Sequence, residues 1–154
     1  MKLTSVAHTG FTVSDLERSL TFYRDLLGMQ VIHQRDTTEE YVSKVTGFAN
    51  AHLKIALLKL RPEDPHTLEL LQYISHPGEP TDRATNRPGN GHLALRVDDI
   101  HAWYQRLAAA GVEIRSEAPV PIRHGINAGA YAIYLRDPDG FTLELVQPPP
   151  AKEK

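Results

Sequence analysis

The chain has 154 residues, of which 41% are hydrophobic, and a formal net charge of −2 at pH 7. This length and composition fit one compact domain or two small repeats that share a core, and they exclude wholesale disorder. The slightly negative charge, without a basic stripe, argues against nucleic acid or anionic membranes as partners. The absence of cysteine excludes disulfides and thiolate metal sites, so a metal would need imidazole and carboxylate ligands.

Neither a membrane span nor a signal segment is predicted. No apolar run approaches the roughly 20 residues that cross a bilayer. The N-terminus leads into a strand-like pattern without an apolar signal core. We therefore expect a cytoplasmic protein.

Hydrophobic periodicity and turn residues predict two successive modules, each with the order strand, helix, strand, strand, strand. The predicted elements in chain order are a strand (4–13), a helix (14–28), strands (29–35, 51–59 and 67–73), a strand (91–97), a helix (98–110) and strands (112–115, 130–135 and 141–147). A hairpin turn is predicted at Asp137-Pro138-Asp139-Gly140. The domain organisation that follows has four parts: module 1 (1–74), a connector rich in proline and glycine (75–90), module 2 (91–148) and a disordered tail (149–154).

Two local patterns of module 1 make further predictions. The sequence Ser14-Asp15-Leu16-Glu17 is typical of a capping box, with Ser14 as the cap residue and Glu17 three positions later. Residues 38–47, in a segment without a counterpart in module 2, are ambiguous. One interpretation is a short helix that ends at Gly47, with Tyr41 and Val45 facing inward.

The same strand occurs twice, as T-L-E-L-L-Q at 67–72 and T-L-E-L-V-Q at 142–147. Each copy carries one glutamate among apolar residues, and each is preceded by a strand that begins with histidine. The histidine-bearing strands read H-T-G-F-T-V from His8 and H-L-A-L-R-V from His92. This internal duplication is typical of two half-units that join their sheets around a shared concavity.

The duplicated residues are His8, Glu69, His92 and Glu144. Taken singly, such side chains are more often ordinary surface groups, because a glutamate in T-L-E-L can alternate outward to solvent. Taken together, with the first and last strands of each module curling toward one another, they supply two nitrogen and two oxygen donors for a divalent ion. An ion would also offset the cost of two facing carboxylates in a cavity.

Two longer motifs carry a resemblance to a known family: H-T-G-F-T-V-S-D-L-E-R-S-L-T-F-Y-R-D-L-L-G-M at 8–29 and Y-L-R-D-P-D-G-F-T-L-E-L-V-Q at 134–147. The chain resembles the vicinal oxygen chelate superfamily, which includes glyoxalase I, methylmalonyl-CoA epimerase, extradiol dioxygenases, fosfomycin-resistance enzymes and bleomycin-binding proteins. In ligand pattern it is most similar to glyoxalase I-like and methylmalonyl-CoA epimerase-like members. The resemblance implies an α+β fold of two tandem βαβββ modules, which form a curved mixed sheet around a metal site.

The resemblance also implies a ligand set, a metal and an assembly. The family's ligand positions match His8, Glu69, His92 and Glu144. The metal would be Zn, Ni, Co, Mn or Fe. A homodimer is typical of the family, with the modules paired either within one chain or between two chains.

The implied function is that of a divalent-metal-dependent lyase, isomerase or epimerase, which acts on a small oxygenated metabolite through a metal-stabilised enediolate. Either Glu144 or Glu69 would be the catalytic base. Two alternatives stay open. An extradiol-type ring-cleaving dioxygenase would leave Glu69 unligated, and a non-catalytic resistance protein would only bind a drug or metabolite. The arginine and asparagine set with which glyoxalase I binds glutathione is not recognisable in this sequence.

Further residues are candidates for substrate contact, although an ordinary surface role explains each of them equally well. Tyr131 and Tyr134 lie on one strand at positions of opposite parity, so only one of them lines a cavity. The predicted substrate-binding residues are Arg123, His124, Asn127, Tyr131 and Tyr41. The remaining histidines fall outside the repeat and are predicted to lie at the surface: His33, His52, His66, His76 and His101.

Overall fold

The computed structural model of the chain describes residues 1–151. Of the tail predicted to be disordered, residues 152–154 lie outside the described residues. The chain divides into two compact units, Met1–Pro80 and a second that begins at Thr81, so the division falls within the predicted connector. None of the helices within residues 1–151 has the length and apolar character needed to cross a bilayer.

The first unit is one four-stranded sheet with a helix on each face. Its strands have the order β1-β4-β3-β2, with β1 parallel to β4 and the other neighbours antiparallel. Helix α1 packs on one face of β3 and β4. Helix α2 packs on the other face, where Val42 joins Leu53 and Ile55 of β3 in an apolar cluster. The elements are β1 (His8–Thr12), α1 (Leu16–Leu20) continued by a π-helical segment (Thr21–Leu26), β2 (Gln30–Thr37), α2 (Glu40–Thr46), β3 (Leu53–Lys59) and β4 (Thr67–Tyr73).

The second unit repeats this design with a single helix. Its sheet has the order β5-β8-β7-β6, and β5 is parallel to β8. The predicted hairpin turn is present, because the Asp137 side chain accepts the amides of Asp139 and Phe141. The α+β fold of two tandem modules is therefore confirmed. The elements are β5 (His92–Arg96), α3 (Ile100–Ala109), β6 (Val120–Pro121), β7 (Tyr131–Arg136) and β8 (Thr142–Gln147).

Both α1 and α3 begin with an aspartate and are tied to the last strand of their own unit. The Asp15 carboxylate accepts the Arg18 amide, so the predicted cap at Ser14 is wrong by one residue. Asp15 is the cap because its carboxylate reaches the third helical amide. The Ser14 hydroxyl instead accepts a hydrogen bond from the Arg18 guanidinium. Asp99 caps α3 in the same way.

The glutamine that closes each T-L-E-L repeat completes this anchoring. Gln72 accepts the Leu16 amide at 3.0 Å, and Gln147 accepts the Ile100 amide at 2.9 Å. These are the first residues of α1 and α3, whose amides have no partner inside the helix. The repeated glutamine thus fixes a helix to the strand that carries the glutamate.

Three strand predictions differ from the structure. β1 begins at His8 rather than at residue 4, and residues 112–115 form a single bridge from Ile114 to Leu135 instead of a strand. The short β6 lies where a loop was predicted. Between the bridge and β6, the Tyr104 and Ser116 hydroxyls donate to the carbonyls of Glu117 and Ala118, as such side chains often do where strand pairing stops.

The short helix ending at Gly47 is present as α2, but its predicted inward residues are wrong. Val42 is 4% exposed and joins Leu53 and Ile55 in an apolar cluster. Val45 is 79% exposed. Tyr41 points away from the cluster because its ring and hydroxyl contact the Arg35 guanidinium.

We predict that Gln72→Ala lowers the free energy of unfolding by about 1 kcal/mol, because the Leu16 amide loses its acceptor. Urea unfolding followed by far-ultraviolet circular dichroism measures the change. Gln34→Ala, on the exposed side of β2, is the matched control and should have little effect. Equal stabilities of the two variants would show that Gln72 does not anchor α1.

Candidate metal centre

In the first unit, the parallel pairing of β1 with β4 brings His8 and Glu69 together. His8 lies opposite Thr67, and Gly10 lies opposite Glu69. Since alternate residues of a strand share a face, His8 and Glu69 project from the same side of the sheet. The distance from His8 Nε2 to Glu69 Oε2 is 3.4 Å.

The second unit uses the same register on β5 and β8. His92 lies opposite Thr142, and Ala94 lies opposite Glu144. The distance from His92 Nε2 to Glu144 Oε2 is 3.1 Å. The four predicted ligands therefore form two similar His–Glu pairs. Within residues 1–151, no group of three or more His, Asp or Glu side chains that could hold a metal ion is present.

The spacing within each pair fits two neighbouring ligands of one ion. With metal–ligand bonds of about 2.1 Å, adjacent donors lie about 3.0 Å apart in an octahedral shell and about 3.4 Å apart in a tetrahedral one. The observed 3.1 and 3.4 Å fall in this interval. The side chains of His8 and His92 are 49% and 46% exposed. The donor set suits a borderline divalent metal.

A small residue lies beside each glutamate on the histidine-bearing strand. A methyl group added at Gly10 would lie 3.7 Å from Glu69 Oε2, which is an ordinary contact. Ala94 holds the same place beside Glu144 and carries that methyl group. Both glutamates therefore have a small neighbour on the histidine-bearing strand, and their side chains are 19% and 18% exposed.

The other neighbour of each glutamate differs between the units. Leu57 of β3 lies opposite Glu69, whereas Tyr134 of β7 lies opposite Glu144. The Tyr134 ring is also 5.3 Å from the His92 ring, measured between centroids. Burial and the charge of Glu144 raise the pKa of the Tyr134 hydroxyl above its usual 10.0. The phenol therefore stays protonated, as a hydrogen-bond donor beside the second His–Glu pair.

With this geometry, comparison with known families is informative. The family model of the Glyoxalase/Bleomycin resistance protein/Dioxygenase superfamily matches residues 5–145. The chain belongs to this superfamily. The resemblance noted in the two sequence motifs is thus confirmed.

Relatives in this superfamily include proteins named as lactoylglutathione lyases. The lactoylglutathione lyase of Haemophilus influenzae is 30% identical over 142 residues, covering 92% of this chain and 91% of that protein. A putative lactoylglutathione lyase of Brassica oleracea is 31% identical over 146 residues, covering 95% of this chain. This chain spans 45% of the length of that plant relative.

A solved structure confirms the fold of this superfamily member. The glyoxalase family protein of Bacillus cereus superposes with a TM-score of 0.83, and the match covers 97% of both chains. At 22% identity, this likeness supports the fold alone.

The remaining predicted substrate residues lie elsewhere in the two units. Arg123, His124 and Asn127 are exposed in the loop between β6 and β7, which is closed by hydrogen bonds between Ile122 and the segment 129–130. Tyr131 projects toward α3, where its ring lies 5.4 Å from the His101 ring. Their roles in substrate binding stay predictions.

Of the two tyrosines in β7, Tyr134 is the one that shares a face with Glu144. Its pairing with Glu144 answers the question of parity that the sequence left open. Sequence alone could not decide it, because the answer depends on the register between β7 and β8 rather than on a pattern within one strand.

We predict that Glu144→Gln lowers the pKa of Tyr134 in metal-free protein, because a negative charge beside the phenol is removed. Carbon-13 resonances of labelled tyrosine, followed against pH and assigned with Tyr134→Phe, measure it. Glu69→Gln is the matched control, since Leu57 and not a tyrosine faces Glu69.

The raised pKa of Tyr134 also makes the free energy of unfolding depend on pH. Because the pKa is raised in the folded protein, Tyr134 contributes stability below pH 10 that is lost as the pH rises through the folded value. An unchanged titration of Tyr134 in Glu144→Gln would show that the two groups do not interact.

Proposed function

We propose that the protein is a divalent-metal-dependent lyase, isomerase or epimerase that acts on a small oxygenated metabolite. The observation that carries this proposal is the repeated His–Glu pair, built with the same strand register in both units. Relatives named as lactoylglutathione lyases, at about 30% identity over most of the chain, support lyase-type chemistry.

The proposed metal ligands are His8, Glu69, His92 and Glu144, which serve one ion. Zn, Ni, Co, Mn and Fe all accept such nitrogen and oxygen donors. A divalent ion held there supplies Lewis-acid stabilisation of negative charge on the substrate's oxygens.

One of the two glutamates also acts as the base that removes a proton from the carbon beside the substrate's carbonyl. Small residues, Gly10 and Ala94, lie beside the two glutamates on the histidine-bearing strands. Leu57 keeps an apolar surface against Glu69, whereas Tyr134 offers a hydroxyl donor beside Glu144. The two carboxylates therefore lie in different surroundings. Substituting each glutamate in turn distinguishes the one that acts as the base from the one that serves only as a metal ligand.

A homodimer is part of the proposal. Each chain contributes two pairs of donors, and four donors complete one site either within a chain or across two chains. In the second arrangement, His8 and Glu69 of one protomer act with His92 and Glu144 of the other. Activity would then require the dimer.

We predict one divalent ion bound per chain after loading, measured by plasma mass spectrometry on desalted protein. Glu69→Gln and Glu144→Gln should each weaken binding by more than about tenfold, because loss of an outer-shell partner alone costs 10–100-fold. Glu17→Gln, an exposed glutamate on α1, is the control. Two ions per chain would contradict a shared centre.

The double variants His8→Ala/Glu69→Ala and His92→Ala/Glu144→Ala extend the metal measurement. Ligands shared across two chains predict that a mixture of the two variants, refolded together, regains tight binding at one site per mixed dimer. Ligands from a single chain predict no recovery. A monomeric wild-type protein in sedimentation would contradict the homodimer.

We predict metal-dependent exchange of the proton beside the carbonyl in deuterated buffer, measured by proton NMR on S-lactoylglutathione and on a series of α-hydroxy ketones. The substitution of the glutamate that acts as base should slow exchange by about 10²–10⁴-fold. Because these variants should also bind the metal more weakly, exchange is measured at saturating metal, so that a slower rate does not reflect missing metal.

The alternatives make different predictions in the same experiment. A ring-cleaving dioxygenase with three ligands would keep its metal and its oxygen uptake in Glu69→Gln. A binding protein would show no exchange with any compound that it binds. Either result would replace the proposed lyase or isomerase.

A further inference from the structure

The face of the first sheet that carries Glu69 continues onto β2, where it bears two basic residues. Leu57 lies opposite Glu69 on β4 and opposite His33 on β2. The next row on this face pairs Ile55 with Arg35. Because directly paired residues of neighbouring strands project from the same side, His33 and Arg35 lie on the face of Glu69.

Arg35 is held in place by α2, the helix that the second unit lacks. Its guanidinium lies over the Tyr41 ring, 5.5 Å from the centroid, and donates to the Tyr41 hydroxyl. One nitrogen is therefore engaged, and the remaining N–H groups of the fork keep their capacity to donate. The contact restricts the arginine without neutralising it.

Nearby acidic groups are engaged with other residues. Asp36 points to the opposite face of β2 and pairs with His52 at 2.5 Å. Glu40 of α2 pairs with Lys44 at 2.7 Å. Across the part of the chain that the structure describes, no carboxylate forms an ion pair with Arg35. It is a cation available to an external anion.

The space between Arg35 and Glu69 is apolar. Leu57 and Ile55 of β3 separate β2 from β4 on this face, and Ile55 belongs to the cluster with Val42 of α2. Arg35 and Glu69 lie two strand spacings apart across the sheet and two residues apart along it, which gives a separation of roughly 12 Å. A ligand that reaches both ends needs an apolar spacer of about this length.

We propose that Arg35, with His33 beside it and Tyr41 as its support, binds a carboxylate of the substrate. The substrate class is then an oxygenated metabolite with a chelating end at the metal, an apolar spacer over Leu57, and a carboxylate at its far end. A single planar guanidinium fork matches a planar carboxylate. The inference rests on the proposed function, because the chelating end needs the metal centre.

The subsite belongs to the first unit alone. The second sheet also has an arginine at the corresponding edge, because the Arg115 amide donates to the Tyr134 carbonyl, but Arg115 forms an ion pair with Glu113 at 3.6 Å. The His–Glu pairs are duplicated, whereas among the described residues an edge arginine without a carboxylate partner occurs in the first unit alone. It therefore serves recognition of one end of a substrate and does not form part of the repeated metal-binding design.

Binding of two hydroxamates to metal-loaded protein tests the proposal by calorimetry. Suberic acid monohydroxamate carries a chelating group and a carboxylate at the two ends of a chain of six methylene groups, and octanohydroxamic acid is its neutral counterpart. We expect the carboxylate to tighten binding by about tenfold. Arg35→Met should abolish this gain and leave the affinity for octanohydroxamic acid unchanged.

Two further variants keep the test decisive. Arg106→Met removes another arginine that lies over an aromatic ring, 5.2 Å from Trp103, and should keep the gain in full. Tyr41→Phe keeps the ring but removes the hydroxyl that accepts from Arg35, and should reduce the gain. A gain that survives Arg35→Met in folded protein would overturn the subsite.

The outcomes separate this inference from the proposed function. Equal affinities for the two hydroxamates in wild-type protein would overturn the carboxylate subsite alone. If octanohydroxamic acid fails to bind, the metal centre is in question, and suberate titrated into metal-free protein then decides the subsite. A shift of the Arg35 Nε–H resonance with a constant Arg106 signal supports it, and an unmoved Arg35 signal overturns it.

Discussion

The parallel pairing of the first strand with the last strand of each module is the constraint on which the candidate site depends. Hydrogen bonding between parallel strands determines which residues lie side by side. In both units, the histidine lies opposite a threonine that precedes the glutamate by two positions. A slip of one residue would turn one donor to the opposite face of the sheet and separate the pair.

The two units share the pair and differ in its surroundings. An apolar side chain faces one glutamate, whereas a phenol faces the other. One sheet continues to an arginine supported by α2, and the other ends in a short, interrupted edge strand. The same His–Glu pair therefore lies in unequal surroundings in the two units.

Local patterns predicted the fold and the four donors because they lie in short motifs: the T-L-E-L strands, the strands that begin with histidine and the Asp-Pro-Asp-Gly turn. What they could not predict depends on pairing between distant segments. The choice of Tyr134 over Tyr131 follows from the β7–β8 register. His33 is exposed, as predicted, but its place on the face of Glu69 could not be predicted, because the link runs through Leu57, a residue 24 positions away in sequence. Asp15 rather than Ser14 is the cap, because the choice between adjacent residues depends on which side chain reaches a free helical amide.

Helix α2 shows how such a fold accommodates change. It lies in the connection between β2 and β3, so the histidine and glutamate of the first unit are 61 residues apart, against 52 in the second. The spacing of the donor atoms is nevertheless similar, at 3.4 and 3.1 Å. The loop between these strands can therefore gain or lose a structural element without disturbing the donors. The His–Glu pairs and helix α2 therefore lie in separate parts of the chain, and changes in α2 can alter the surface beside Arg35 while the strands that carry the pairs stay intact.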